Sequence, residues 1–590
     1  MAEPSLREAW FRAWDGNPRW SQRLTSPRVT HVAWSLAEVD ALVTSAEHAS
    51  AAGRWVALAL SFEAAAAFVP GLPMQCSGGR IPLAVAAEFE ASSVRPLPPG
   101  RMDPARSAPA LPLVAALDRA QFRQQVDAVQ EAIRAGDTYQ VNLTFPLQGP
   151  LPDTSPAGLF EGLLQGQQPA YAAWLDLGAL QVISLSPELF FETEGEVIRA
   201  RPMKGTARRG RWLEEDLAVR DLLQASPKAR AENVMIVDLL RNDLGRLAEP
   251  GTVKVSRLYE AERYPTLWQL TSTIEARLPA GTGLRQCLSA LFPCGSVTGA
   301  PKLSTLKLIN ALEVEPRGFY TGAIGLLRPG GDAIFNVPIR TLTLDSDAGR
   351  ATLGVGAGIT ADSEADAEYE ECLLKGQFAT QPRPWSKDFQ LFETLRLEEG
   401  QVLRLDRHLA RLRASAGYFG FTFDPLALQQ QVSAAIEAHA SGIWRLRITL
   451  ERGGHCRAEA SPHEDTRRPW RVALSELPVN ETDPLLFNKT TLRAAYDEAL
   501  AARPDVDDVI LANRRGELTE SCRANLVLDI GGKKVTPALP CGLLPGVMRA
   551  ELLERGELVE ATLTRDDLRA AERIWLINSL RGWVAAELVP

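Results

Sequence analysis

The spacing of apolar residues changes several times along the chain, and each change predicts an element. Over Asp118 to Ala135, Phe122, Val126, Val129 and Ile133 recur at helical spacing and Gly136 follows as a stop, so an amphipathic helix is expected. Tyr139 to Phe145, Leu180 to Leu185 and Glu196 to Arg201 have the length and pattern of strands. The same mixture returns late in the chain. Phe389 to Leu397 and Trp444 to Glu451 read as strands on either side of a helix over Leu405 to Ala416. No convincing GxGxxG joins a strand to a helix, so the expected fold class is α+β in both regions rather than a doubly wound sheet.

Two stretches lack periodicity. Ser92 to Pro112 is rich in proline, and Thr380 to Asp388 holds two prolines; both read as connections. The expected organisation is an N-terminal region over 1–90, a connection over 91–112, a large domain over 113–379, a linker over 380–388 and a second domain over 389–590. A chain of 590 residues is too long for one compact domain, which suits that division.

Composition removes whole classes of function. The 64 Lys+Arg and 73 Asp+Glu leave a net charge of −9, the wrong sign for neutralising nucleic-acid phosphates. Apolar runs fall short of a membrane span, and Met1 to Trp10 carries Glu3, Arg7 and Glu8 instead of a secretory core. Seven scattered cysteines without CxxC suit a reducing cytoplasm. Six histidines without HExxH point away from zinc, so a metal here would be held by carboxylates.

Three constellations carry candidate chemistry in the first region. Lys204, in Arg201-Pro-Met-Lys-Gly-Thr206, lies among Arg199, Arg201, Arg208, Arg209 and Arg211. Cationic neighbours or burial there would free its amine as a nucleophile, whereas a solvated basic turn is the plainer alternative. Glu364, Glu368, Glu371 and Lys375 are spaced to share one helix face. With Glu232 they form a candidate Mg²⁺ site, the alternative being a solvated acidic face. Gly295 to Lys302 and Leu353 to Gly358 are glycine-rich, and Pro301 at a helix start would aim the N–H groups of Thr298 to Ala300 at an anion.

Seven motifs in order resemble the chorismate-utilising enzymes: Gly136-Asp-Thr-Tyr-Gln-Val-Asn142, Ser186-Pro-Glu188, Arg201 to Thr206, Ala231 to Asp243, Gly295 to Lys302, Ile339-Arg-Thr341 and Gly354 to Glu371. The resemblance covers residues 1–378 and implies an α+β sandwich binding chorismate and Mg²⁺. The pair Gln140 and Lys204 is similar to members that aminate chorismate at C4; the anthranilate-forming members typically have a small residue in place of Lys204. By that resemblance Lys204 attacks the ring, Glu188 acts as general acid for the departing C4 hydroxyl, and ammonia displaces the lysine. Glu232, Glu368 and Glu371 correspond to Mg²⁺ ligands, and Gln140, Thr298, Gly299, Arg340, Gly356, Gly358 and Lys375 to the substrate's surroundings. Gln269 stands where the family often has histidine.

The second region holds Lys489, Glu520 and the segment Gly546-Val547-Met548, an amine, a carboxylate and a helix start of the kind pyridoxal phosphate needs, though each alone has an ordinary structural explanation. Together with Leu403 to Leu412, which contains Arg411, and Asn578-Ser579, they resemble the fold-type IV pyridoxal phosphate enzymes without the usual leading strand and loop. The resemblance implies a cofactor on Lys489, Glu520 at its ring nitrogen, and Arg411, Val547, Met548 and Ser579 around its phosphate. It also admits a homodimer through this domain. A lyase is expected, because its substrate would be the first region's product: pyruvate leaves and 4-aminobenzoate forms. An aminotransferase of branched-chain or D-amino acids, a non-catalytic scaffold, and an anthranilate-forming first region stay open. No Gly-x-Cys-x-Gly loop is present, so a separate glutamine amidotransferase is the expected source of ammonia.

Overall fold

The computed structural model describes residues 4–69, 71–72, 79–100, 108–382, 389–465 and 468–589. The chain gathers into two units: residues 1–208 with 220–387, and residues 209–219 with 388–590. Most of the linker expected over 380–388, and 101–107 of the connection expected over 91–112, lie outside the described residues.

The first unit is built on two ten-stranded sheets. Phe11, Leu24 and Val182 from one and Ala57, Val85 and Ile324 from the other share a buried cluster, so the sheets face each other. Gln140–Pro150 pairs antiparallel with Arg350–Ile359 over ten residues, from Pro150 opposite Arg350 to Val141 opposite Ile359. Helix Ala365–Thr380 lies against Arg350–Ile359 and against helix Arg119–Ala135. The latter starts where Asp118 and Gln121 cap each other, and it buries Phe122, Val126 and Val129. The proline-rich stretch is more ordered than its composition suggests: Val94–Pro96 is a strand paired with Gln22 to Leu24 at the sheet edge. An edge tolerates Pro96 because one side of the strand needs no ladder donor.

The second unit has a four-stranded and an eight-stranded sheet. Leu391–Glu398 lies inside the smaller one, beside Ile443–Leu450, with helix Leu405–Phe419 packed against it. In the larger sheet Trp470–Leu474 runs parallel to both of its neighbours, Asp508–Ala512 and Gly582–Leu588. Its core gathers Val472, Ile510, Leu526 and Leu576. Both units are therefore mixed α and β, as the changing periods predict. Among the described residues no helix is long and apolar enough to cross a membrane.

Candidate active sites

Lys204 lies at a register shift in strand Met203–Arg208, where pairing with Leu267–Arg277 slips between Met203 and Thr206. A bulge of this kind re-aims a side chain out of the ladder. The amine is partly buried, and its pKa is lowered: burial is the largest cause, opposed by Glu232 and reinforced by Lys375, with Glu371 and Glu368 opposing more weakly. Those influences bring together residues from three elements, because Glu232 lies on helix Pro227–Gly245 and the others on Ala365–Thr380.

The expected cationic run does not form a positive pocket. Arg199 is bound by Glu192 and Glu275, Arg201 by Glu262, Arg209 by Asp216 and Arg211 by Glu215. Glu192, Glu262 and Glu275 come from other strands and Glu215 and Asp216 from the helix that follows, and they neutralise these guanidinium groups. Lys204 is left facing acids.

Glu188, which also feels the charge of Lys204, is 3% exposed. Ser296 Oγ donates to its Oε1 at 2.7 Å and the Met203 N–H at 3.4 Å. Burial pushes its carboxyl up to about 7 against the pull of those two donors and of Lys204. A carboxyl with that pKa holds a proton near neutrality, as a general acid must.

Gln140 opens its strand and is 1% exposed; its Oε1 is buried without a hydrogen-bond partner. An orphaned buried acceptor is costly and marks a place where a ligand donor would be welcome. Gly358 makes the space: a Cβ there would come within 2.4 Å of Lys204 Nζ and 2.5 Å of Gln140 Nε2. The glycine-rich stretch containing Gly356 and Gly358 is thus a strand rather than an anion-binding loop. Lys375 Nζ donates to the Gly356 carbonyl at 2.8 Å and pairs with Glu371 at 2.8 Å.

The helix-start cradle expected at Thr298 to Ala300 is not formed. Gly299–Ala300 is a short strand opposite Gln140 and Val141, and helix Lys302–Leu312 begins only after Pro301. Pairing with strand Gln140–Pro150 engages this backbone first: Asn142 N–H donates to the Thr298 carbonyl at 2.7 Å. Gly299 is required, since its φ is +149° and a Cβ would lie 1.9 Å from the Gln140 oxygen. Glu364 also departs from expectation: it flanks the N-terminus of the acidic helix, with no capping hydrogen bond from its side chain, instead of sharing its face.

Arg340 adopts a left-handed backbone, φ +52°, uncommon for a side chain of this size. Its guanidinium donates to Gln167 Oε1 at 2.9 Å, and no carboxylate of the described residues pairs with it. Such a cation is suited to an anionic ligand. Glu368 accepts from Ser363 and is raised by burial, whereas the exposed Glu371 is held below the ordinary range, against the cost of desolvation, by Lys375, Lys204 and Lys228. Among the described residues no three His, Cys, Asp or Glu side chains converge as a preformed metal cage. Glu232, Glu368 and Glu371 are carboxylates near one amine, a donor set suited to Mg²⁺ shared with substrate oxygens.

In the second unit Lys489 is partly buried, with Nζ 4.8 Å from the Phe392 ring centre. Its pKa falls to about 8: burial leads, Arg411 and Arg493 add to it, and Glu393 and Glu520 oppose. Glu520 is 5% exposed and is held by Tyr496 Oη at 2.9 Å, Leu544 N–H at 3.0 Å and Asn525 Nδ2 at 3.1 Å. Burial raises it to about 7 despite those donors. Arg411 is clamped by Glu393 through Nε at 2.8 Å and Nη2 at 2.6 Å, and its Nη1 donates to the Pro545 carbonyl at 3.0 Å. That contact brings the guanidinium to the start of helix Val547–Glu554, where Val547 and Met548 are buried. Ser579 is buried after strand Arg573–Asn578.

An amine, a buried carboxylate, and a guanidinium beside a helix start are the groups that pyridoxal phosphate requires, and they lie in one unit. The sequence reading missed Ser296, although it lies in a quoted motif, and Glu393, an acid at a buried strand position flanked by Leu391, Phe392 and Leu395.

Residues 83–381 match the family model described as chorismate binding enzyme, and residues 390–589 the model described as amino-transferase class IV. Anthranilate synthase component 1 of Streptomyces coelicolor is 41% identical over 262 residues, 44% of this chain and 51% of that protein. Aminodeoxychorismate synthase component 1 of Klebsiella aerogenes is 40% identical over 263 residues, 44% of this chain and 57% of that protein. The chain thus spans about half the length of these curated relatives. The crystal structure of anthranilate synthase component I from Streptococcus pneumoniae covers 61% of this chain and 92% of its own, at 24% identity and a TM-score of 0.53, a likeness of fold.

Proposed function

From the premise that this chain belongs to the chorismate binding enzyme family, we propose a bifunctional enzyme that makes 4-aminobenzoate from chorismate and ammonia in two steps. Identity does not choose between amination at C2 and at C4, because relatives of both kinds match equally well. The observation that carries the choice is Lys204, an amine of lowered pKa with Gln140 beside it at Gly358, and an acid of pKa about 7 in Glu188.

In the first step the neutral Lys204 amine attacks the ring and the C4 hydroxyl leaves as water, taking its proton from Glu188. Ammonia then displaces the lysine and leaves its nitrogen on C4. Arg340 pairs with a substrate carboxylate, and Gln140 supplies its free acceptor. Glu232, Glu368 and Glu371 would hold Mg²⁺, which would offset the substrate's negative charge. A separate glutamine amidotransferase supplies the ammonia.

In the second step residues 390–589 remove pyruvate from the aminated product. Pyridoxal phosphate, when bound at Lys489, supplies an electron sink. Lys489 Nζ would move the proton, Glu520 would hold the cofactor's ring nitrogen, and Arg411 with Val547, Met548 and Ser579 would hold its phosphate.

The test is product identification. Purified protein with chorismate, Mg²⁺ and an ammonium salt gives 4-aminobenzoate and pyruvate when pyridoxal phosphate is present, and accumulates the C4-aminated intermediate when it is absent. Anthranilate as the product would overturn the first assignment. Transamination of amino acids without pyruvate release from the intermediate would overturn the second.

A further inference from the structure

Residues 209–219 precede the acidic helix by about 150 positions in the chain, yet they belong to the second unit. The segment is tied into that unit by a dense set of contacts. Arg209 and Asp216 form a buried ion pair at 2.6 Å, and Gly210 N–H donates to the same Asp216 oxygen at 2.9 Å, which closes a tight turn. The turn leaves no room at Gly210, where a Cβ would lie 2.3 Å from the Asp216 nitrogen. Tyr418 grips the turn from helix Leu405–Phe419: its Oη donates to the Gly210 carbonyl at 2.7 Å, and its own carbonyl accepts from Arg209 at 3.0 Å. Arg211 reaches the carbonyls of Glu481 and Pro540. Trp212 stacks on Phe487, centroids 5.1 Å apart and planes at 30°.

These contacts converge on the residues immediately before Lys489. Asn488 is 5% exposed and uses both ends of its amide: Nδ2 donates to the Arg211 carbonyl at 3.2 Å and to the Pro484 carbonyl at 3.0 Å, and Oδ1 accepts from Ser415 at 2.9 Å. Lys489 itself is tied on its other side, its carbonyl accepting from Phe392 N–H at 3.0 Å. The cluster that receives Trp212 also contains Phe487 and Tyr496, and Tyr496 is the donor to Glu520.

We propose that residues 209–219 are a positioning strap for Lys489: they complete the second unit and fix the amine through Asn488 and Phe487. The inference rests on the reading of Lys489 as the lysine that carries pyridoxal phosphate. Both the amine and the carboxylate of that site take their places from side chains packed against the strap, so loosening the strap moves the amine relative to its neighbours. A shifted environment changes the amine's pKa, which loss of global stability alone does not.

The experiment uses the full-length protein and the variants Trp212→Ala, Trp212→Phe, Asn488→Ala and the double variant Trp212→Ala/Asn488→Ala. Borohydride reduction and peptide mapping of the unsubstituted protein first establish whether the cofactor sits on Lys489; its absence there overturns the underlying reading and not the packing of the strap. With the cofactor located, two quantities are read: the equilibrium dissociation constant of pyridoxal phosphate and the midpoint pH of the bound cofactor's visible absorbance. Trp212→Ala and Asn488→Ala are each expected to weaken binding roughly tenfold and to move the midpoint, Trp212→Phe to restore both, and the double variant to resemble either single one. Unchanged midpoints in both single variants, or effects that multiply in the double variant, would overturn the strap. If Trp212→Ala does not fold, Trp212→Leu, which keeps bulk and loses the stacked ring, carries the same measurement.

Discussion

Lys204 and Lys489 meet one chemical demand in differently charged settings. Each is an amine whose pKa is brought down, with burial the leading cause in both. Around Lys204 the nearest charges are mainly carboxylates, Glu232, Glu371 and Glu368, which oppose the shift. Around Lys489 the guanidinium groups of Arg411 and Arg493 deepen the shift while Glu393 and Glu520 oppose it, and the pKa settles at about 8. The first arrangement would be balanced by a cation such as a divalent metal. The second would be completed by an anion such as a phosphate. On the proposed function, the acids that seem to spoil the first lysine would serve as its metal site, and the arginines beside the second would serve its cofactor.

Replacing the two lysines should separate the steps most sharply. Lys204→Ala is expected to lower formation of the C4-aminated intermediate by a thousandfold or more, roughly the loss seen when a covalent nucleophile is removed. Supplied intermediate should still yield 4-aminobenzoate. Lys489→Ala should do the reverse, accumulating intermediate and losing the visible absorbance of bound pyridoxal phosphate. Chromatography of both reaction mixtures checks the pair, and a variant that stops both steps would break the comparison.

Glu188 comes next. Glu188→Gln removes the proton donor and should cost about 10²- to 10⁴-fold in the amination step. The pH dependence has a definite sign. Burial raises the carboxyl to about 7, so its proton is present below that pH and lost above it. Amination measured at constant free ammonia should therefore decline above about pH 7. Ser296 Oγ is the hydrogen bond that lowers this pKa most, so Ser296→Ala should carry the alkaline limb to higher pH. An alkaline limb that stays in place would remove Glu188 from the acid role.

Local pattern revealed some of this and hid the rest for identifiable reasons. The helix over Phe122 to Val129 and the strand entered at Gln140 follow from periodicity, because one face of each is buried. Lys204, Glu188, Glu232 and Lys489 were legible as residue types in ordered motifs. Pairing was not. The arginines near Lys204 look like an exposed cationic run until Glu262 and Glu275, more than sixty positions on, meet Arg201 and Arg199. The strap is further removed: its partners Tyr418 and Asn488 lie 208 and 277 positions away. Thr298 to Ala300 looked like a helix start because Pro301 suits one, and tertiary pairing with the Gln140 strand decided otherwise. Glu393 was overlooked because a buried strand position favours apolar residues, and only its clamp on Arg411 explains the acid.

A smaller effect tests whether the acids near Lys204 serve a metal. Glu232→Gln should raise the Mg²⁺ concentration needed for half-maximal amination by about ten- to a hundredfold. It should also lower the Lys204 pKa further, because Glu232 is the strongest of the charges that raise it. Titration of the amination rate against Mg²⁺ checks the first effect, and an unchanged requirement would remove Glu232 from the metal site.

The smallest expected effect belongs to Gln269, which stands where the family often has a histidine. Here the side chain accepts from Thr206 Oγ1 at 3.0 Å, and its backbone lies opposite Thr206 in the ladder. An amide has no proton to exchange near neutral pH, and a single partly exposed neutral hydrogen bond contributes only about 1 kcal/mol. Gln269→Ala is therefore expected to change amination by less than about fivefold and to leave the pH profile in place, since that profile belongs to Glu188 and Lys204. Its ladder pairing with Thr206 is through the backbone and survives the substitution. A loss comparable to that of Glu188→Gln, or a displaced pH profile, would mean that proton transfer at the Lys204 site passes through a residue unable to carry it, and the assignment of acid and nucleophile would have to be redrawn.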